Sequence, residues 1–153
     1  MNRREQTRIL ALASAGGHWI QLARLSQAFE DANTLYVTTV ASQAAPSGSR
    51  PVAKIVDGSR NEPMRLVAAT IQLALIILRF RPHAIITTGA APGYLALRLG
   101  KLWGCRTVWL DSIANADEMS MAGRLARPYA DRWLTQWEHL AEVSGPEYWG
   151  RVL

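Results

Sequence analysis

The chain carries one cysteine, Cys105, in 153 residues. That excludes an internal disulfide and any metal site built from several thiolates, and it fits a reducing compartment. No metal and no cofactor are therefore expected. There is no dense basic run, although 17 Lys and Arg against 12 Asp and Glu leave a net charge of +5. Nucleic-acid-binding arms concentrate their charge, whereas here it is scattered and no nucleic-acid-binding motif accompanies it, so nucleic acid is not an expected partner. The surplus suits instead a phosphate-bearing ligand or an anionic membrane surface. The opening segment Met1–Arg8 is polar, and the apolar run after it is too short for a signal sequence. A third glycine of the G-x-G-x-x-G pattern is missing from Ser14–Gln21, and Thr38-Thr39 stands where an acidic residue would hold a ribose. Both absences count against a dinucleotide site. Neither an internal repeat nor a composition break divides the chain. Residues 1–153 are expected to form one domain, with 1–7 a polar N-terminal tail and 145–153 a C-terminal tail.

What is present alternates. Ile9–Ala13 is apolar without a polar alternation and ends in glycines, the pattern of a buried strand. A helical pattern follows over Ile20–Glu30, with Leu22, Leu25, Ala28 and Phe29 on one side. Leu35–Thr39 and Val52–Val56 read as further strands. Met64–Phe80 reads as one long helix stopped by Pro82, apolar around most of its circumference. Packing on a sheet explains that helix, and so does contact of one face with a membrane, its terminal arginines near lipid headgroups. Ala84–Thr88 is a fourth strand, Gly93–Leu102 a helix, Thr107–Leu110 a fifth strand, Met119–Ala126 a short helix and Arg132–Thr135 a sixth strand. Strands alternating with helices imply an α/β, Rossmann-like parallel sheet with helices on both faces.

Ligands of such sheets gather beyond the carboxyl ends of the strands, where strand order reverses. The order 3-2-1-4-5-6 places strands one and four side by side at that point. The loops after those strands are Ser14-Ala-Gly-Gly-His18 and Gly89-Ala-Ala-Pro-Gly93, each running into a helix N-terminus that attracts anions. Glycine there admits a close backbone approach to a diphosphate, or merely permits a tight turn. His18 should sit at the first helix's N-terminus, which disfavours the imidazolium; a neutral ring there is able to take a proton from a substrate hydroxyl, or only to bond local backbone. Asp111, Ser112 and Asn115 follow the fifth strand on the same edge. They suit recognition of sugar hydroxyls, and equally well the capping of the next helix. Arg60 and Asn61 belong to the loop after strand three, again at that edge. Six tryptophans are many for this length. Trp149 lies in the segment Glu147-Tyr-Trp-Gly-Arg-Val-Leu153, which must either fold back on its own domain or dock on another chain.

In order, Gly16-Gly17-His18, Thr87-Thr-Gly-Ala-Ala-Pro-Gly93, Asp111-Ser112, Ser120-Met-Ala-Gly123 and Asp131-Arg-Trp-Leu-Thr-Gln-Trp137 resemble the acceptor-side subunits of split GT-B glycosyltransferases. That family includes the membrane-anchored subunit of the eukaryotic enzyme adding the second GlcNAc to dolichol-linked oligosaccharide, and bacterial exopolysaccharide-assembly subunits. More distantly, the pattern is similar to the N-terminal half of the GlcNAc transferase of lipid II synthesis. The resemblance implies the N-terminal half of a GT-B fold, binding a polyprenyl-diphosphate-linked sugar acceptor at the cytoplasmic face of the membrane. It implies a small catalytic UDP-sugar-binding partner subunit, without which this chain has little activity. It makes His18 the general base. It places the glycine-loop residues Ser14, Gly16, Gly17, Thr88, Gly89, Pro92 and Gly93 at the acceptor's diphosphate; Tyr94, beside the second loop, and Arg60, Asn61, Asp111, Ser112 and Asn115, by their place on the same edge, are expected to contact the acceptor as well. It assigns Trp137, Tyr148, Trp149, Gly150 and Leu153 to partner docking. Two departures stand out: no N-terminal anchor is read in this sequence, and Asn115 replaces an arginine. The alternative from another class is a non-catalytic scaffold that recruits a complete glycosyltransferase to the membrane.

Overall fold

A computed structural model describes residues 6–46 and 48–152. Seven parallel strands, β1 (Arg8–Leu12), β2 (Asn33–Thr38), β3 (Val52–Lys54), β4 (Ala84–Thr87), β5 (Arg106–Leu110), β6 (Arg132–Thr135) and β7 (Glu147–Tyr148), lie in the order β3-β2-β1-β4-β5-β6-β7. The connecting helices are α1 (Gly17–Leu25), α2 (Pro63–Phe80), α3 (Ala90–Leu102) and α4 (Met121–Ala126). The order expected for strands one to six is the one observed. Its cause is the right-handed crossover: the chain steps outward from β1 through α1 on one face, then returns across the other face through α2, α3 and α4.

Strand periodicity sorts the core into two layers. Leu10 and Leu12 of β1, Ile85 of β4 and Trp109 of β5 point to the face covered by α2–α4, where Leu73, Ile77 and Leu97 meet them. Ile9 and Ala11 point the other way, onto Trp19 and Leu22 of α1. There the Trp19 and Tyr36 rings pack edge to face with centroids 6.1 Å apart. Full burial of each large apolar side chain contributes about 1.5–3 kcal/mol, so these layers carry the fold. α1 with its 3-10 continuation (Ser26–Phe29) covers the β1–β2 half of its face. Ile86, Val108, Leu110 and Leu134, on the β4–β6 half, line instead a groove of about 450 Å³ closed by the tail residues Trp149–Val152.

Helix boundaries differ from the sequence reading for identifiable reasons. α1 starts at Gly17 rather than Ile20, because Gly16 adopts φ 70° and turns the chain directly off β1. α3 starts at Ala90 rather than Gly93; Pro92 sits inside its first turn, where a missing N–H costs nothing. α2 ends as expected before Pro82, with Arg81 in the left-handed conformation at φ 52°. Its exposed stripe, Met64, Val67, Ile71, Leu75 and Leu78, faces away from the sheet, while Ala69, Leu73 and Ile77 are buried. α2 is long and apolar enough to cross a membrane, yet it packs along the sheet as a crossover helix. β7 is an added edge strand of two residues that periodicity cannot reveal.

Candidate functional site

The register Leu12↔Thr87 between β1 and β4 brings the two glycine loops together at the carboxyl edge. Gly16 at φ 70° precedes α1 and Gly89 at φ 129° precedes α3. No side chain caps either helix, whereas Ser120 Oγ caps α4 by accepting from the Gly123 N–H at 2.9 Å. The first-turn N–H groups of α1 and α3 are thus not consumed by capping side chains. Two helix dipoles converge on one crevice, the arrangement that attracts a phosphate.

His18, in the first turn of α1, is fixed from the opposite loop. Its Nδ1 lies 2.8 Å from the Thr88 carbonyl, and the buried Thr88 hydroxyl donates to the His18 carbonyl at 2.6 Å. A carbonyl oxygen only accepts, so Nδ1 carries a proton, and the tautomer with this bond has its lone pair on Nε2. The imidazole rests on the Cα of Gly89: a Cβ there would stand 2.8 Å from His18 Cε1 and 2.9 Å from Nδ1. Ala90 follows with φ 67°, a left-handed conformation costly for a residue with a Cβ. This junction is where the loop accepts strain to present its backbone.

Beside it opens a cleft of about 630 Å³, formed by Ser14, the Asp57–Arg60 loop, Pro92, Tyr94 and Leu95 of α3, and Met121 and Leu125 of α4. Such a volume is typical of small-molecule sites. Arg60 is exposed at the cleft; its guanidinium reaches Met121 Sδ at 3.4 Å and, among the described residues, no carboxylate. The remainder of the lining is mostly apolar.

The structure therefore unites Ser14, Arg60, Pro92 and Tyr94 in one cleft, with Gly16, Gly17, His18 and Gly89 on the adjoining loops. Other expected site residues face elsewhere. Asn61 is exposed and outside the cleft lining. Gly93 is a packing glycine, since a Cβ there would fall 2.3 Å from Thr87 Oγ1. Asp111 does not present its carboxylate for sugar hydroxyls: it is 2% exposed and accepts from Trp109 Nε1, Ser120 Oγ, the Ser120 N–H and Asn115 Nδ2. Ser112 is buried too, accepting from Gln21 Nε2 and the Ala114 N–H. These residues fasten the β5–α4 loop, and the helix cap is Ser120 rather than any of them.

The tail folds back. Tyr148 pairs with Thr135 on the sheet edge, and Trp137 Nε1 donates to the Ile113 carbonyl at 2.8 Å beneath the Arg151 guanidinium. Gly150 turns the chain at φ 110°. Trp149 alone among the expected docking aromatics stays largely open, 65% exposed under Arg132. Leu153 lies outside the described residues. What sequence reasoning missed is the anchor of all this. Gln136, fully buried, donates to Gln21 Oε1 at 2.5 Å and to the Asp111 carbonyl at 2.9 Å, and accepts from the Val152 N–H at 3.0 Å. A glutamine directly after a buried strand was the available signal. Glu62, at the start of α2 beside the Asp57–Arg60 loop, is held low by hydrogen bonds from Arg65 and Ser59; the other displaced titrations lie at the amino-terminal edge. Burial pushes the Cys105 thiol up, with Lys101 partly opposing it. Burial also raises the Asp131 carboxyl, but the Lys101 ammonium and the Thr107 N–H more than offset this and hold it low.

The fold is like that of the Rossmann-like half of GT-B glycosyltransferases. It superposes on MurG of Acinetobacter baumannii with a TM-score of 0.74 at 12% identity, covering 93% of this chain and 45% of that one. A UDP-N-acetylglucosamine 2-epimerase structure gives 0.71 at 7% identity, covering 96% and 49%. The family model for Alg14-like oligosaccharide biosynthesis proteins matches residues 54–152, and the chain belongs to that family. The UDP-N-acetylglucosamine transferase subunit ALG14 of Candida albicans is 36% identical over 87 residues, 52% of this chain and 40% of that protein. Its Schizosaccharomyces pombe counterpart is 39% identical over 61 residues, 39% of this chain and 28% of that protein. The matched segments thus span less than half of each curated relative.

Proposed function

We propose that this chain is the acceptor-binding subunit of a two-component glycosyltransferase. It holds a polyprenyl-diphosphate-linked sugar at the cytoplasmic membrane face, and a small partner supplies the UDP-sugar. The observation that carries this reading is the His18 ring, with Nδ1 tied to the Thr88 carbonyl and Nε2 free among the described residues, beside two uncapped helix N-termini. The diphosphate lies over those N-termini, and Arg60 adds charge from the neighbouring loop. Nε2 of His18 takes the proton of the acceptor hydroxyl as that oxygen attacks the anomeric carbon; the glycosidic bond forms, and UDP leaves with the bonding electrons.

Family membership supports the glycan setting, since both relatives compared above are named as transferase subunits. The exposed α2 stripe supports peripheral contact with an anionic bilayer. The half-buried strand residues Ile86 and Val108, together with open Trp149, support docking of the partner there. In the reconstituted pair, His18→Ala is expected to lower kcat by about 10²–10⁴ with the acceptor KM nearly unchanged. Full rate in that variant would favour the scaffold reading instead, and turnover by this chain alone would refute the split enzyme.

A further inference from the structure

The cleft beside His18 has a chemistry that a diphosphate and a sugar do not account for. Its walls are Leu66 of α2, Tyr94 and Leu95 of α3, and Met121 and Leu125 of α4, and its mouth carries Arg60. A head-group site should be polar throughout, because each sugar hydroxyl taken from water needs a partner. Here the polar groups are Ser14 and the glycine-loop backbone on the β1 side, with Asp57, Ser59 and Arg60 on the loop across from them. The remaining depth is hydrocarbon. Met121 and Leu125 are each about half exposed, so the unliganded cleft leaves apolar surface in water. α2 extends that surface outward, since its first turn gives Leu66 to the cleft and Met64 and Val67 to the exposed stripe.

We infer that this cleft binds the first isoprene units of the acceptor lipid, so that the chain recognises its substrate by the tail as well as by the diphosphate. The inference rests on the acceptor-subunit reading above. A diphosphate seated over the N-termini of α1 and α3 has its prenyl ester directed at the Arg60 end of the cleft. The attached hydrocarbon then runs between α3 and α4 toward the α2 stripe, and the guanidinium on Met121 Sδ spans the point where charge gives way to hydrocarbon. The occupant is a prenyl chain bearing a diphosphate, in preference to a bulk phospholipid, because the N–H groups of two helix ends and the Arg60 guanidinium suit an unshielded anion, with Asp57 the one carboxylate among the lining residues.

The test titrates the purified full chain with farnesyl diphosphate, inorganic pyrophosphate and lysophosphatidylcholine. Farnesyl diphosphate is expected to bind at least about thirtyfold more tightly than pyrophosphate, as burial of several methylene-sized groups requires. Leu125→Glu, at an exposed position that leaves the fold intact, should erase that advantage while pyrophosphate affinity stays within about twofold. Ala122→Phe, which fills the cleft, serves as a second variant with the same expectation. Equal affinity for farnesyl diphosphate and pyrophosphate would overturn the inference and leave the acceptor-subunit reading standing. Lysophosphatidylcholine binding as tightly as farnesyl diphosphate would also overturn it, making the cleft a bulk-lipid contact. Binding of neither phosphate compound would overturn both readings together.

Discussion

Replacing Gly89 by alanine tests the link between loop backbone and the His18 ring most directly. Gly89 holds φ 129° and ψ −165°, a region that residues with a Cβ avoid. Adopting it costs on the order of 1–3 kcal/mol. The added methyl would also stand 2.8 Å from His18 Cε1, closer than carbon atoms approach without bonding. Because the ring is itself held by the Thr88 carbonyl, it must rotate away and forfeit a hydrogen bond worth about 1 kcal/mol. The sum is about 2–4 kcal/mol, and a loss of 3 kcal/mol in a domain of this size lowers Tm by roughly 6–12 °C. Gly16→Ala is the control. Gly16 sits at φ 70° and ψ −134°, likewise a region that residues with a Cβ avoid, but a Cβ there meets nothing within 4 Å, so its cost is the backbone's alone, on the order of 1–3 kcal/mol, with His18 undisturbed. Urea unfolding measures stability, and the reconstituted pair measures turnover. Gly89→Ala should lose stability together with about 10²-fold or more in kcat, whereas Gly16→Ala should lose stability with a smaller effect on kcat. Gly89→Ala within about 0.5 kcal/mol of the native chain, or fully active, would refute the close-approach argument.

Gln136→Leu should cost about 2–4 kcal/mol, since it strips partners from the Asp111 carbonyl and the Val152 N–H, and it should free the tail; hydrogen exchange over residues 145–152 then rises, and unchanged protection would sink the anchor role. Asp131 titrates below its unfolded value in the fold, so its contribution is present above the unfolded carboxylate range and fades as pH falls through the folded value. Asp131→Asn should therefore lose stability at pH 7 and converge on the native chain near pH 2; the Lys101–Asp131 pair has side chains 35% and 42% exposed, which holds the difference to about 1 kcal/mol or less. Equal urea midpoints at both pH values would contradict it. Leu75→Glu changes a side chain 62% exposed, so stability should stay within about 0.5 kcal/mol while co-sedimentation with anionic vesicles falls; undiminished vesicle binding would remove α2 from the membrane contact.

The sequence disclosed what depends on residue type repeated along the chain. Buried runs such as Ile9–Ala13, alternating with helical patterns, fix a parallel sheet, and crossover handedness then yields the strand order without further information. The position of both glycine loops at one edge follows from that order alone. What stayed hidden depends on backbone groups or on residues distant in the chain. His18 is gripped by the carbonyl of Thr88, 70 residues away, and a carbonyl carries no residue-type signal. Asp111 has the side chain of a sugar-binding residue, yet Ser120 and Trp109 occupy its oxygens. Burial decided its role, and burial is a property of the whole fold.

The tail shows how the two kinds of information combine. An aromatic closing segment promised either fold-back or docking, and the structure divides the residues between them. Gln136 accepts from Val152 through its side chain and from Arg151 Nε through its carbonyl, so the segment is held by polar groups that water would otherwise satisfy. Its conformation therefore needs no partner. Trp149 takes no part in that anchoring: its indole donates to Glu147 Oε2 at 3.2 Å and rests against Arg132, both at the surface. The groove beside it leaves Ile86 and Val108 half-buried on a face that α1 covers only in part, while Leu110 and Leu134 are buried. The tail is thus a fixed wall of that groove, held there by its own chain.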